Sequence, residues 1–256
     1  MNHSSSSYGI PIEEIPSFSA YMPKRVTNSI FLADCDHHEI EKIITEFENG
    51  KSSDISINLV KKSSRIISPI LAYFFNQFMN QGIFPNELKT GRITPIYKKG
   101  DKRHLENYRP VSILPIFGKI FEKVIYSRLY SFLSTNRVIS NTQFGFRKGH
   151  STAHALNYSI EKIFSSLEAD KHVIGIFIDL SKAFDTIDHS KLMTKIENYG
   201  LRGKAQSLIS SYMENRHQFV QIGTEKSDLA KITLTTSIIL HQMVISYYMR
   251  MTQTFL

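Results

Sequence analysis

The stretch that most constrains the fold is HVIGIFID, residues 172–179, a continuous apolar run that ends in the carboxylate of Asp179. Such a run predicts a strand buried on both faces, and therefore a sheet covered by helices on each side. An ionised carboxylate at the end of this strand needs a partner, because burial of an isolated charge costs on the order of several kcal/mol. A divalent cation is one partner, and a cap on the turn into the next helix is the alternative. Spacing alone does not decide between them.

The rest of the chain mixes helical and strand patterns, which predicts an α+β fold. Asp36 is the expected N-cap of a first helix, Ser151 or Thr152 of a later one, and Ser190 of a third. Residues 64–82 predict a core helix that stops at a glycine. Residues 91–101 and 217–223 alternate as strands do, and residues 204–213 predict a further helix. The apolar stripe of the core helix consists of Ile67, Leu71, Phe74, Phe75 and Phe78.

Composition excludes some classes of protein and leaves others open. At 41% hydrophobic and 21% charged residues, the chain is typical of globular proteins and not of disordered ones. Its net charge of +8 attracts polyanions, although a merely soluble basic protein has the same sign. Cys35 is the single cysteine, so no internal disulfide forms, and we find no apolar run that would span a bilayer. These features favour a reducing, intracellular compartment.

A second candidate site is a run of cations interleaved with two tyrosines. Such a pattern suits a triphosphate or a single-stranded nucleic acid, because phosphates are neutralised while bases stack. A solvated charged hairpin is the alternative, but an arginine just before a proline in an extended segment is an unusual place for a purely solubilising charge. The residues of this run are Lys89, Arg92, Tyr97, Lys98, Lys99, Lys102, Arg103, Tyr108 and Arg109.

Other chemical groups have simpler interpretations. Asp185 and Asp188 precede a helix and favour its N-terminal dipole. Phe184, taken alone, is a core residue or the floor beneath a sugar, and the core is the commoner case. The segment around Cys35 lacks a second ligand pair for a zinc site, and His150 and His154 are expected at the surface.

Four blocks of the sequence, taken together, resemble the reverse transcriptases of non-LTR, LINE-type retrotransposons of the jockey kind. They follow one another in the family's order and at similar separations, within residues 54–233. Four linked blocks are a more specific signal than any one of them. The blocks are GIFPNELKTGRITPIYKKGD, NYRPVSILPIFGKIFEKVI, NTQFGFRKGHSTAHAL and FIDLSKAFDTIDHSKLMTKIENYGL.

The resemblance implies the fingers and part of the palm of a right-hand polymerase. Residues 1–53 would be a flexible lead-in and a linker helix, residues 54–170 a fingers-like region and residues 171–233 the first half of the palm. The implied activity is RNA-directed DNA polymerisation, with an RNA template, a DNA primer and deoxynucleoside triphosphates as partners. The implied cofactor is Mg²⁺, or Mn²⁺ in its place, and the implied location is the cytoplasm and nucleus.

The same matches imply individual roles. Asp179 matches the first catalytic aspartate, a ligand shared by both metal ions, and Leu180 would offer its main-chain carbonyl. Phe184 matches the steric gate, an aromatic ring that packs under the deoxyribose and clashes with a 2′-hydroxyl. Either Lys98 or Lys99, together with Arg109, matches the fingers cations that bind the incoming triphosphate.

The family pattern fails in residues 234–256. The expected Pro-Gln-Gly block and the Ala-Asp-Asp hairpin are absent there. Two-metal catalysis needs carboxylates from both strands, so the sequence predicts a fragment that is inactive alone. A nucleic-acid-binding remnant without catalysis, or the product of a pseudogene, is the alternative.

A frameshift is one hypothesis for this tail. If Tyr248 is encoded TAT and Arg250 CGG, the string TATATGCGGATGAC, read two bases later, encodes Tyr-Ala-Asp-Asp. Residues 234–256 would then be an out-of-frame remnant, joined to the palm's first half by a deletion. The coding DNA decides this, because other codons at either position end the hypothesis.

Overall fold

The computed structural model describes residues 25–49, 54–177 and 188–231. These residues form seven α-helices and five strands, a mixed α and β architecture that agrees with the predicted class. The helices are α1 (His37–Thr45), α2 (Ile57–Lys62), α3 (Ser64–Gln81), α4 (Ile116–Thr135), α5 (Thr152–Glu168), α6 (His189–Asn198) and α7 (Lys204–Met213). The strands are β1 (Thr90–Tyr97), β2 (Tyr108–Ile113), β3 (His217–Ile222), β4 (Glu225–Lys226) and β5 (Ala230–Lys231).

A hydrophobic core joins α1, α3, α4, α6 and α7. Its centre is an aromatic stack in which Phe121 of α4 lies 4.6 Å from Phe75 and 5.2 Å from Phe84, measured between ring centroids. Tyr212 of α7 meets Phe84 edge-on at 4.9 Å. Offset and edge-on aromatic pairs stabilise a core beyond their burial of apolar area. The stack therefore fixes α3, α4 and α7 against one another.

The predicted apolar stripe of α3 is confirmed except at one residue. Phe75 is buried, and Ile67, Leu71 and Phe78 pack against the core. Phe74 is 48% exposed. Small side chains at Ser68 and Ala72 also face the core, which allows close approach of the neighbouring helix. The helix ends at Gly82, as predicted, in the left-handed conformation with φ of 70°.

The sheet carries the candidate site on one edge. Strand β1 pairs antiparallel with β2 and parallel with β3, and β3 also pairs with β4 and β5. The order is β2-β1-β3, so β2 lies at an edge and β1 lies between its two neighbours. Both predicted strands, around residues 91–101 and 217–223, are confirmed in this sheet.

The N-cap residues of the helices agree with those predicted from the sequence, with one exception. The Asp36 side chain accepts the N–H of Glu39, and the Ser151 side chain accepts the N–H of His154. The cap of α6 is Asp188, whose carboxylate accepts two backbone N–H groups, and not Ser190. The prediction for Ser190 was wrong because a carboxylate two residues earlier reaches the same free N–H groups. The helix-favouring role predicted for Asp188 is confirmed.

The described part of the N-terminal segment is not a flexible lead-in. The backbone N–H of Val26 donates to Asn198 at 2.8 Å, and that of Ile30 donates to Gly200 at 2.9 Å. Arg202 donates to the Val26 carbonyl at 2.6 Å. Helix α1, which we predicted as a linker, packs into the core through Ile40, Ile43 and Ile44. Backbone pairing of this kind orders a segment that composition alone marks as irregular.

The predicted strand at residues 172–179 is the main disagreement. Its described part, residues 172–177, forms no strand, and Phe177 is 97% exposed. A strand buried on both faces needs neighbours that accept its backbone hydrogen bonds, and no described strand pairs with this segment. The prediction came from the apolar composition, which gives no information on whether a partner strand is present. Residues 178 and 179 lie outside the described part of the chain.

The lone cysteine supplies a probe of this fold. Cys35 is 4% exposed, and its Sγ lies 3.2 Å from the Asn76 Oδ1. Burial raises the pKa of the thiol to about 11. Because the thiolate is the reactive form, we expect thiol–disulfide exchange near pH 8 to be about 100-fold slower in the folded protein than in urea. Reaction with a chromogenic disulfide, followed by absorbance, measures both rates, and equal rates would contradict the buried position.

Candidate triphosphate and nucleic-acid interface

The hairpin formed by β1 and β2 presents the predicted phosphate-binding cations. Tyr97 pairs with Tyr108, and Ile96 pairs with Arg109. The backbone N–H of Lys98 donates to the Asn107 carbonyl at 2.8 Å, so the ladder continues one pair further toward the tip. These pairings fix which side chains share a face of the hairpin.

Lys98 and Arg109 lie on the same face. Lys98 follows Ile96 by two residues, and alternate residues of a strand point to one side. Arg109 is the partner of Ile96, so the two cations form a diagonal cross-strand pair with Cα atoms about 7–8 Å apart. Both are exposed, and Ile96 and Val111 on this face are also exposed, at 52% and 39%. The face is therefore open to a charged ligand.

Lys99 is placed differently. It comes one residue after Lys98, where strand alternation points to the opposite side and the backbone bends toward Gly100. The sequence could not choose between the two lysines, and the register favours Lys98 as the partner of Arg109. No acidic side chain forms an ion pair with any of these three cations among the described residues.

The two tyrosines brace the hairpin tip. Their rings meet edge-on with centroids 5.7 Å apart. The Tyr97 hydroxyl donates to the Gly100 carbonyl, and the Tyr108 hydroxyl donates to the Lys102 carbonyl at 2.9 Å. A side chain on Gly100 would lie 2.6 Å from the Asn107 amide, and its φ of 95° also favours glycine. The two tyrosines therefore stabilise the hairpin tip, and their role in base stacking stays a prediction.

Three of the remaining cations of the run have other partners, although strand alternation places Arg92 on the same face of β1 as Lys98. Arg103 forms an ion pair with Asp101 at 2.9 Å, which lowers the pKa of that carboxyl. Arg92 donates to Gln221 at 3.5 Å. Lys89 is buried and donates to Asn86 at 2.8 Å, and its burial lowers the pKa of the ammonium. The run is therefore not one cluster.

The predicted catalytic and metal-binding residues Asp179 and Leu180, and the predicted steric gate Phe184, lie outside the described residues. Within residues 25–49, 54–177 and 188–231, no group of three histidine, cysteine or acidic side chains could hold a metal ion. His150 and His154 lie together at the surface, with ring centroids 6.1 Å apart, as the sequence predicted for two surface residues.

A buried polar network at the base of the sheet was missed by the sequence analysis. Glu122 of α4 is buried, and the Tyr212 hydroxyl of α7 donates to its carboxylate. The Arg216 guanidinium lies 4.5 Å from the centre of the Tyr212 ring and donates to the Tyr212 carbonyl at 3.1 Å. Burial raises the pKa of Glu122, against the opposing effects of Tyr212 and Arg216. The only sequence signal was a glutamate among the apolar residues of a core helix.

The profile of the family described as reverse transcriptase (RNA-dependent DNA polymerase) matches residues 96–253, more than half of the chain. The chain belongs to the reverse transcriptase family. The match includes both predicted fingers cations and extends through much of the divergent tail.

Named relatives of this reverse transcriptase domain come from insect retrotransposons. It is 31% identical over 182 residues to a probable RNA-directed DNA polymerase from transposon X-element of Drosophila melanogaster, covering 70% of this chain and 20% of the relative. It is 31% identical over 163 residues to the polymerase from mobile element jockey of the same species, covering 63% of the chain and 18% of the relative. The type-1 element R1DM protein is 29% identical, covering 67% of the chain and 17% of that protein. The chain thus spans about a fifth of these relatives.

Family membership explains the non-LTR signature in the four sequence blocks. None of the helices in the described part of the chain combines the length and apolar character needed to cross a bilayer.

Proposed function

We propose that this chain is the fingers and first part of the palm of an RNA-directed DNA polymerase, which copies the RNA of a non-LTR element into DNA. The observation that carries the proposal is the open hairpin face with Lys98 and Arg109 on a domain of the reverse transcriptase family. In this proposal, a planar guanidinium and a compact ammonium neutralise one triphosphate from two adjacent strands.

The catalytic end of the site follows from the family resemblance. Asp179 and Leu180 would hold the metal ion, since a carboxylate and a main-chain carbonyl are the oxygen ligands that Mg²⁺ prefers. Bound Mg²⁺ supplies charge stabilisation to phosphoryl transfer. Phe184 would pack under the sugar and exclude ribonucleotides. We further propose that residues 1–256 alone do not incorporate nucleotides, because the two carboxylates of the palm's Ala-Asp-Asp hairpin are missing from the sequence.

Triphosphate affinity tests the hairpin face. We expect Lys98→Ala and Arg109→Ala each to raise the Kd for a Mg²⁺–deoxynucleoside triphosphate by about 10- to 100-fold, because each removes a charge-assisted hydrogen bond. Arg109→Lys should recover part of the loss, since it keeps the charge and loses the bidentate geometry. A fluorescent deoxynucleotide titrated at fixed ionic strength measures each Kd.

The matched control is Lys99→Ala, which removes the same charge from the neighbouring position. We expect less than about a threefold change in Kd, as for a charge that acts only through the long-range field. Equal losses for Lys98→Ala and Lys99→Ala would show that the cations act by net charge alone, and would remove the main support for the proposed function.

A further inference from the structure

In the loop between α4 and α5, one aromatic residue has both a strained backbone conformation and an exposed side chain. Phe146 has a φ of 56° and is 56% exposed. Left-handed backbone is strained for a bulky side chain, and exposure of an aromatic ring forgoes the free energy of burial. Two unfavourable features at one residue persist only where the surrounding structure imposes them, and such positions cluster at ligand-binding sites.

The loop imposes this conformation through its own hydrogen bonds. Gln143 is fully buried, and its side chain donates to the Gly145 carbonyl at 3.4 Å. The Arg147 guanidinium donates to the Ser140 carbonyl at 3.2 Å, and the N–H of His150 donates to the Arg147 carbonyl at 3.1 Å. The residues on both sides of the phenylalanine are therefore fixed, and the ring is presented by a preorganised loop.

The electrostatic surroundings of the ring favour an anion. Arg147 and Lys148 follow it directly, and the N-terminus of α5 begins a few residues later with no acidic residue in its first turn. The sequence contains no aspartate or glutamate between Glu122 and Glu161. Phosphates that approach this loop meet cations and the N-terminus of α5, and the nearest carboxylates along the sequence are Glu122 and Glu161.

We propose that Phe146 stacks on an unpaired base of the RNA template while Arg147 and Lys148 contact the adjacent phosphates. An aromatic face beside cations matches single-stranded nucleic acid, because every base offers a π-face and every step carries a phosphate. The inference rests on the proposed function, since it names the residue that holds the template ahead of the copied position. An acidic protein surface would use the cations but would gain nothing from the flat ring.

The experiment uses the 256-residue chain and a DNA primer annealed to an RNA template with a single-stranded overhang. Kd is measured by fluorescence anisotropy for an intact overhang and for overhangs with one abasic nucleotide at successive positions. At the stacked position, we expect the missing base to weaken wild-type binding by about 5- to 150-fold. Phe146→Leu should weaken binding to the intact overhang by the same factor. In this variant, the abasic nucleotide should cause no further loss of affinity.

Two further variants separate stacking from folding and from charge. Phe146→Asn suits left-handed backbone, so its Tm should equal or exceed that of the wild type while its RNA affinity falls. Phe31→Leu alters a ring that is 84% exposed at a site beside Asp34, and it should leave the RNA Kd unchanged. The dependence of log Kd on log salt should be the same for Phe146→Leu and wild type, because no charge is removed.

The outcomes distinguish the inference from the proposed function. Wild-type affinity in Phe146→Leu, or an equal loss on intact and abasic overhangs, overturns the stacking role while triphosphate binding by Lys98 and Arg109 is unaffected. Binding of an acidic polypeptide with the same dependence on Phe146 also overturns it. Failure of the wild-type chain to bind any primer–template overturns both the inference and the proposed function.

Discussion

Primer extension on an RNA template is expected to fall by about 1,000-fold or more when Asp179 is replaced by asparagine or alanine. A metal ion held by this carboxylate would supply several kcal/mol of charge stabilisation, and each ~1.4 kcal/mol is a factor of ten in rate. The assay requires a protein that carries this domain together with the rest of the palm, because we expect the 256-residue chain to be inactive alone. Incorporation of a labelled deoxynucleotide, resolved on a gel, measures the rate.

The matched control is Asp188→Asn, nine residues along the same segment. Asp188 caps α6, and asparagine is an equally good N-cap, so both activity and stability should stay near wild type. In the same assay, Phe184→Ala should reduce discrimination against ribonucleotides without a comparable loss of rate with deoxynucleotides. Full activity in Asp179→Asn would remove the catalytic assignment of this residue.

The helical part of the fold could be predicted from sequence because its signals are local. The residues that begin and end a helix act on their own backbone neighbours, as Asp36 does for α1 and Gly82 for α3. The bounds of α7 agree with the predicted residues 204–213. The buried face of α3 was also predicted by periodicity, with the exception of Phe74, which lies at the border of that face and is exposed.

The predicted strand at residues 172–177 shows the limit of composition. An apolar run indicates that a segment is buried away from water, but strand formation needs a neighbouring strand that supplies hydrogen bonds. Sequence also left Lys98 and Lys99 equivalent, since both are cations at the end of β1. Only the pairing of Ile96 with Arg109, which depends on the hairpin register, separates them.

Contacts between distant segments were the least predictable part of the molecule. Asp54 accepts the N–H of Ile116 at 2.8 Å and so caps α4 from the segment that precedes α2. Glu122 and Tyr212 are 90 residues apart in sequence and hydrogen bond inside the core. Neither pair has a local pattern, because what brings its members together is the packing of whole helices.

The network of Glu122, Tyr212 and Arg216 predicts a specific pH dependence of stability. Burial raises the folded-state pKa of Glu122 above its ordinary value of 4.5. A carboxyl with a raised pKa stabilises the fold fully below the unfolded value, and this stabilisation is lost as pH rises through the folded value. We expect the free energy of unfolding of wild type, relative to Glu122→Gln, to fall as pH rises above about 4.5. Urea titrations across that range measure the difference.

Removal of the cation should enlarge this effect. Arg216 lowers the pKa of Glu122, so in Arg216→Met the pKa rises further and the loss of stability extends to higher pH. Above that range, we expect a cost on the order of 1 kcal/mol, because the buried carboxylate loses the favourable field of the guanidinium and keeps that of Lys119. Tyr130→Phe, a change of a half-buried tyrosine in α4, is the control and should cost less than about 0.5 kcal/mol.

The double variant Glu122→Gln/Arg216→Met separates the charge from the packing. It removes both charged groups, so the buried carboxylate and the field of the guanidinium are lost together while the side-chain volumes stay similar. We expect it to recover most of the stability lost in Arg216→Met and to show no dependence on pH from this network. If the double variant were as unstable as Arg216→Met at every pH, the guanidinium would act by filling space around Tyr212, and the electrostatic account of the network would be wrong.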